Sequence, residues 1–127
     1  MNALILKAIV ILAIIESGGD SNAIGDNGNA RGLYQIHENY WIDGCDYLGV
    51  VWDYENGSMD KEKSRKVVIA YLTRYGKFYE KKFGKKITIE GLARMHNSGP
   101  YWFTKTQKTD KYWNKVKEEL EKYENNE

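Results

Sequence analysis

The chain has 127 residues, 42% hydrophobic and 13% aromatic, so it can build one hydrophobic core and is too short for two ordinary domains. The 19 Lys and Arg residues against 18 Asp and Glu residues leave a net charge of +1, which gives no global field to recruit nucleic acid or an anionic membrane. The single cysteine, Cys45, excludes an intrachain disulfide and a structural zinc site of its own, so the fold must rest on packing.

Residues 3–16 predict the first helix, because nearly all of them are apolar or good helix formers and Gly18 offers a stop. Its apolar run 8–15 has the length of a signal-peptide centre, but no small-residue cleavage pattern follows and the run is too short to span a membrane. We therefore expect a buried core helix and no cleavable signal peptide. Glu16 falls in the last turn, where the helix dipole and two neighbouring isoleucines favour a protonated carboxyl, as a general acid requires.

The segment from Gly18 to Gly32 is rich in Gly and Asn and predicts a loop. Asp26-Asn27-Gly28 is typical of a tight turn, and residues 32–36 are expected as the return strand of a short hairpin. A second carboxylate for chemistry beside Glu16 could come from Asp26 or Asp20.

Residues 37–54 are dense in aromatic side chains without a clear period, and we expect short helical turns there. From about Ser58 the apolar spacing becomes helical, with a stop at Gly76 or Gly84.

Thr88 can cap a short helix that carries His96, and Thr109 can cap a last helix. Residues 1–123 are thus expected to form a single domain, with a frayed tail over 124–127.

The sequence contains neither a phosphate-binding glycine loop nor metal-ligand spacing, so no cofactor and no metal are expected. A thiol nucleophile made of Cys45 with His37 or His96 is an alternative that lacks a local signature. Carboxylates beside a polar loop, together with aromatic and amide side chains, are instead typical of the active sites of enzymes that cleave polysaccharides. Trp102, in a loop after Pro100, is the best candidate for a sugar platform.

Five blocks in order carry a family resemblance. They are Glu16-Ser17-Gly18-Gly19, Gly32-Leu33-Tyr34-Gln35-Ile36, Tyr40-Trp41-Ile42-Asp43, Ala93-Arg94-Met95-His96-Asn97-Ser98-Gly99-Pro100 and Tyr112-Trp113. Over about positions 10 to 116 the chain resembles the invertebrate-type lysozymes, and the first two blocks are similar to goose-type lysozymes and lytic transglycosylases. The resemblance implies a mainly helical, lysozyme-like α+β fold, with two lobes around a cleft and a small β-hairpin.

The resemblance also implies the activity and its residues. The expected function is a muramidase that cleaves the β-1,4 bond between N-acetylmuramic acid and N-acetylglucosamine in peptidoglycan glycan strands. Glu16 matches the catalytic acid, and Asp26 is the preferred second carboxylate. The implied substrate-binding positions are Ser17 beside the acid, Tyr34 and Gln35 along the groove, His96 and Asn97 at the acetamido sugar, and Tyr112 near the acid.

Several alternatives stay open at this stage. The reaction could be a lytic transglycosylation that leaves 1,6-anhydro ends, the sugar could be chitin, or the domain could bind the wall without catalysis. Invertebrate-type lysozymes are rich in disulfides, whereas this chain has one cysteine. That difference predicts a protein of bacterial or phage type, made in a reducing cytoplasm and acting on the cell wall. We also expect a monomer with no integral membrane segment.

Overall fold

The computed structural model describes residues 1–126 and is mainly helical, as expected. Within residues 1–126, six α-helices and a two-stranded sheet follow one another. They are α1 (Asn2–Ser17), β1 (Ile24–Gly25), β2 (Ala30–Arg31), α2 (Glu38–Leu48), α3 (Tyr54–Gly57), α4 (Lys61–Phe83), α5 (Ile89–Ser98) and α6 (Asp110–Asn125).

Helix α1 is the centre of the core and packs against α4, α5 and α6. Its buried residues, Ile5, Ala8, Ile9, Ile11 and Leu12, are at most 3% exposed. Burying each of the larger aliphatic side chains contributes about 1.5 to 3 kcal/mol, so apolar packing can hold this fold without a cross-link. The helix ends as the sequence predicts, because Gly18 adopts the left-handed conformation with φ 65°.

Helix α2 replaces the short helical turns expected between residues 37 and 54. It runs for 11 residues and packs along α4. The two helices approach closely at Gly44, where an added Cβ would lie 2.7 Å from the Val67 carbonyl oxygen. Polar contacts fasten the pair, since Asp43 accepts hydrogen bonds from Arg74 and from the Tyr75 hydroxyl.

The hairpin is shorter than expected, and its return strand is not residues 32–36. Strand β2 covers Ala30–Arg31 and pairs antiparallel with β1, while Ile36 makes only an isolated bridge to Arg31. Gly32 (φ 79°) and Gln35 (φ 51°) take left-handed conformations that an extended strand cannot contain. The tight turn predicted at residues 26–28 is confirmed.

The second half of the chain follows the predicted helix signals closely. Helix α4 ends at Gly84 and passes through Gly76, where a Cβ would lie 3.2 Å from the Met1 sulfur. Thr88 caps α5 by accepting a hydrogen bond from the Gly91 backbone N–H. Thr109 occupies the N-cap position of α6, but its hydroxyl makes no cap hydrogen bond.

Helix α6 continues to Asn125, past the point where a frayed tail was expected, and Glu127 of that tail lies outside the described residues. Within residues 1–126 no helix has both the length and the apolar character needed to cross a bilayer.

Candidate active site

The last turn of α1 places Glu16 at a junction of three helices. Its side chain is 19% exposed, and its Oε2 atom accepts a 2.7 Å hydrogen bond from the Tyr112 hydroxyl of α6. The Nε2 atom of His96, on α5, lies 3.3 Å from the same oxygen. The other oxygen, Oε1, has no hydrogen-bond partner within residues 1–126. Glu16 is thus held through one oxygen, and the second is left to meet a ligand.

The hydrogen-bonding groups around His96 determine which of its two ring nitrogens carries the proton. Its Nε2 atom lies 3.0 Å from the Tyr34 carbonyl oxygen as well as near the Glu16 carboxylate, and both of these groups accept hydrogen bonds. We therefore assign the proton of the neutral ring to Nε2, and Nδ1 then accepts a 2.9 Å hydrogen bond from the Tyr40 hydroxyl. The imidazole accordingly donates its only N–H to the Tyr34 carbonyl, with Glu16 Oε2 3.3 Å from the same nitrogen.

The two phenols around this centre keep their protons. Burial raises the pKa of Tyr112 far above its usual range, and the negative charge of Glu16 and the hydrogen bond to it add to the effect. Burial also raises the pKa of Tyr40 well above the ordinary value, helped by the neighbouring Tyr71. Both hydroxyls therefore remain hydrogen-bond donors over the physiological pH range.

The hairpin turn places the Asp26 carboxylate at the cleft that Glu16 lines. Asp26 adopts a left-handed conformation (φ 49°), its side chain is 60% exposed, and Oδ2 lies 3.5 Å from His37 Nε2. Glu16 and Asp26 line one cleft of about 270 Å³. The cleft is completed by Ala30, Gln35, His37, His96 and Asn97.

The cleft continues into a second depression of about 350 Å³ that shares Asp26 and His37 with it. This second part runs between the hairpin and the start of α2 towards Tyr54. The two parts form an open, mostly polar groove that suits a chain-like polar ligand. Asp20, the other acid considered, accepts a hydrogen bond from the Asn22 backbone N–H and does not line the groove.

The loop before α2 is tied to α1 by a residue expected to bind substrate. The Ser17 hydroxyl donates a 2.7 Å hydrogen bond to the Leu33 carbonyl oxygen. Gln35 donates through Nε2 to the Ala23 and Gly32 carbonyls and also lines the cleft. Ser17 therefore fixes the position of the loop, and Gln35 presents an amide to the groove.

The side chains of Tyr34 and Trp102 lie outside the cleft, contrary to expectation. Tyr34 is only 4% exposed and its ring belongs to the core, because burying the large apolar surface of an aromatic ring stabilises the fold. Only its carbonyl oxygen reaches the site. Trp102 stacks on Tyr79 with 5.3 Å between ring centroids and lines a separate pocket beyond Asn97.

Two site features were missed from the sequence. His37 lines both parts of the groove next to Asp26, but it lies at the start of α2 without a motif that would mark it. The hydrogen bond from the Tyr40 hydroxyl to His96 joins residues that are 56 positions apart in the chain. The one sequence signal for this contact is that both residues occur in blocks of the family resemblance.

The thiol alternative is not supported, because Cys45 is 5% exposed and burial raises the pKa of its thiol. It lines a different surface depression, beside Trp41 and Val50. Among the described residues no group of three or more His, Cys, Asp or Glu side chains could hold a metal ion. The two carboxylates that line the groove, Glu16 and Asp26, can support acid and base chemistry.

Comparisons with known proteins point to the same chemistry. The model of the Destabilase family matches residues 7–119. Lysozyme 1 of Crassostrea virginica is 32% identical over 90 residues, which are 71% of this chain and 45% of that protein. The lysozyme of Meretrix lusoria is 35% identical over 85 residues, which are 67% of this chain and 63% of that protein. The chain thus matches between about half and two thirds of the length of these relatives.

Solved structures show the same architecture. Tapes japonica lysozyme superposes with a TM-score of 0.69 at 32% identity, over 87% of this chain and 85% of that one. An inhibitor-bound lysozyme from Meretrix lusoria superposes with a TM-score of 0.71 at 28% identity, over 88% and 87%.

These relatives correct one expectation. They come from bivalves, so the prediction of a protein of bacterial or phage type made in a reducing cytoplasm is wrong. The prediction took a missing disulfide as evidence of compartment. Cys45 instead lies in a core that apolar packing already stabilises, and such a core does not require cross-links in any compartment.

Proposed function

Because the chain belongs to the Destabilase family of invertebrate-type lysozymes, we propose that it is a muramidase. The bond cleaved is the β-1,4 linkage between N-acetylmuramic acid and N-acetylglucosamine in peptidoglycan. One observation carries the proposal: Glu16 lies in a polar groove with one oxygen hydrogen-bonded to Tyr112 and close to His96, and the other without a partner among residues 1–126.

Glu16 acts as the general acid. Its free oxygen, Oε1, carries the proton to the glycosidic oxygen as the bond to the leaving sugar breaks. The carboxylate that forms is stabilised at Oε2 by the hydrogen bond from the Tyr112 hydroxyl and by the nearby Nε2–H group of His96, 3.3 Å away. These donors interact more strongly with the ionised group than with the neutral acid, so they favour the charge that develops during proton transfer.

Asp26 meets the positive charge that develops on the sugar, or positions the attacking water. It is solvated, it faces the same cleft as Glu16, and His37 lies beside it. The amides of Gln35 and Asn97 line this cleft and can bind the acetamido and hydroxyl groups of the glycan. We further propose that residues 1–123 form one domain that works as a monomer.

The test is Glu16→Gln, which keeps the size of the side chain and its hydrogen-bond acceptor but cannot transfer the proton. Removing a general acid is expected to lower the rate of peptidoglycan solubilisation by about 10² to 10⁴-fold, without a change in the circular dichroism spectrum. Glu118→Gln, an exposed position on α6, is the matched control and should keep the wild-type rate. Lysis by Glu16→Gln at the wild-type rate would refute the proposal, and binding without new ends by both proteins would indicate a non-catalytic wall-binding domain.

A lytic transglycosylase is the second candidate, and the hydrogen bond from Tyr112 to Glu16 favours it. Lytic transglycosylases, as the resemblance implies, keep a tyrosine close to the acid. In that reaction the C6 hydroxyl of the substrate attacks in place of water, so Glu16 acts first as acid and then as base. Mass spectrometry of the released fragments separates the two reactions, because hydrated and 1,6-anhydro ends differ by one water.

A further inference from the structure

A pocket separate from the groove lies at the C-terminal end of α5. Asn97 lines the Glu16 cleft, and the next residue, Ser98, lines a separate pocket of about 250 Å³. The other lining residues are Tyr101, Trp102, Thr104, Lys105 and Lys108. The volume equals that of about eight water molecules, which is enough for a polar substituent rather than a single ion.

The wall of this pocket is held by a buried cation. Arg94 is 6% exposed and donates through one nitrogen to the Thr106 carbonyl at 2.7 Å and to the Asp110 carboxylate at 2.8 Å. The same nitrogen donates to the Thr109 hydroxyl. The turn between Lys105 and Asp110 is therefore fixed to α5, and the pocket is formed before any ligand arrives.

Two ammonium groups on this turn are available to a ligand. Lys105 and Lys108 are exposed, and neither makes an ion pair in the part of the chain that the structure describes. The carboxylate of Asp110, on the same segment, is taken up by Arg94. An anion entering the pocket would thus meet two cations without first displacing a protein carboxylate.

The rest of the lining suits an organic ligand. Tyr101 is 61% exposed, and the indole of Trp102 is fixed by stacking on Tyr79. Ser98 and Thr104 add hydroxyl groups that can donate or accept hydrogen bonds. Aromatic surface, hydroxyls and paired cations together match a carboxylate on an amphipathic group better than they match inorganic anions or neutral sugar alone.

We propose that this pocket binds the carboxylate-bearing substituent of an N-acetylmuramic acid residue, its lactyl group or the peptide attached to it. The inference rests on the proposed function, since it concerns the strand whose bond lies at Glu16. It makes Lys105 and Lys108 determinants of specificity for charged peptidoglycan strands over neutral N-acetylglucosamine oligomers.

The experiment measures binding rather than turnover, so it does not depend on activity. In the Glu16→Gln background, calorimetric titration would compare a soluble muropeptide oligomer with a neutral N-acetylglucosamine oligomer of equal length. Adding Lys105→Gln and Lys108→Gln should weaken muropeptide binding about fivefold, because exposed ion pairs each contribute modestly. Binding of the neutral oligomer should change by less than about 1.5-fold, a change too small to match the loss of one exposed ion pair.

A matched double variant, Lys115→Gln with Lys117→Gln, removes the same charge from exposed positions on α6 that do not line the pocket. An equal loss of muropeptide affinity in this control would overturn the proposal in favour of general attraction between charges. A parallel loss of neutral-oligomer binding would also overturn it, since the change would then be structural. If neither ligand binds to the Glu16→Gln protein, the proposed function itself fails.

Discussion

Replacing Tyr40 by Phe isolates one hydrogen bond of the candidate active site. The Tyr40 ring stacks on Tyr71 with 3.6 Å between centroids, and Phe preserves that packing. Only the hydroxyl that donates to His96 Nδ1 is lost, which leaves a buried acceptor without a partner. Such a group costs about 2 kcal/mol, and at about 3 to 5 °C per kcal/mol the Tm should fall by roughly 6 to 10 °C.

The same change should also lower activity. Without the Tyr40 donor, His96 Nδ1 has no partner, and the ring loses the hydrogen bond that fixes its orientation beside Glu16. We expect kcat to fall by about tenfold with a smaller effect on KM, which corresponds to about 1.4 kcal/mol of transition-state stabilisation.

Thermal unfolding followed by circular dichroism and initial rates of peptidoglycan solubilisation measure the two effects. Tyr71→Phe is the matched control, because it keeps the stacked pair and the Tyr71 hydroxyl makes no hydrogen bond to His96. A Tyr40→Phe protein with wild-type Tm and kcat would contradict the assigned tautomer. Equal losses in Tyr71→Phe would show that packing, rather than the bond to His96, is responsible.

Three further predictions test the site and its supports. Tyr112→Phe removes the 2.7 Å donor to the Glu16 carboxylate. If Glu16 is the proposed general acid, kcat should fall about tenfold at nearly unchanged Tm, as rate assays and thermal melts would show. Gly32→Ala should prevent folding or lower the free energy of unfolding by more than about 3 kcal/mol, because at φ 79° its Cβ would overlap the Ser58 carbonyl oxygen. Gly28→Ala is the control: its φ is 93° but its Cβ would meet no other atom, so denaturant titrations should show a loss of only about 1 kcal/mol. The free energy of unfolding should decline from pH 10 to pH 12. Burial and, after it, the hydrogen bond to Asp43 raise the pKa of Tyr75 to about 12, whereas a tyrosine in the unfolded chain ionises near pH 10. The unfolded state therefore loses its proton first as the pH rises, and this favours unfolding. Denaturation midpoints at pH 8 and pH 11 measure this decline, which should be smaller in Tyr75→Phe.

The elements that the sequence predicted well are those whose ends carry local signals. Helix α1 stops where Gly18 supplies a left-handed residue, and α5 starts where the Thr88 hydroxyl accepts a backbone N–H. These interactions join residues at most a few positions apart. A pattern read along the chain therefore contains the information that they need.

Helix α2 was missed because its residues are apolar on several faces. Trp41 and Cys45 are buried, whereas Ile42 is 58% exposed and Tyr47 is 41% exposed. Because the apolar side chains do not form one stripe with a period of 3.6 residues, the sequence pattern predicts short turns rather than a single helix. The hairpin was misplaced for a different reason, since the left-handed conformation of Gln35 is imposed by the loop and is uncommon for that residue type.

The site itself depends on contacts that no local pattern encodes. Tyr112 and Glu16 are 96 residues apart, and His96 and Tyr34 are 62 apart. Family resemblance brought these residues into one list, but it could not show that the Tyr34 ring turns into the core while its carbonyl binds His96. The direction of a side chain at a site follows from packing across the whole fold.

Stability and site geometry are coupled in this chain because the same polar contacts serve both. Without a disulfide, the loop 32–35 is held by Ser17 through the Leu33 carbonyl and by His96 through the Tyr34 carbonyl. Each such bond contributes only about 1 kcal/mol, so the position of the loop is less firmly fixed than a cross-link would make it. Ser17 is next to Glu16 in the chain, and His96 contacts the Glu16 carboxylate. A substitution that loosens this loop therefore also moves that carboxylate. Loss of activity alone is therefore insufficient to assign a catalytic role to any neighbour of Glu16, and it must be measured together with the free energy of unfolding.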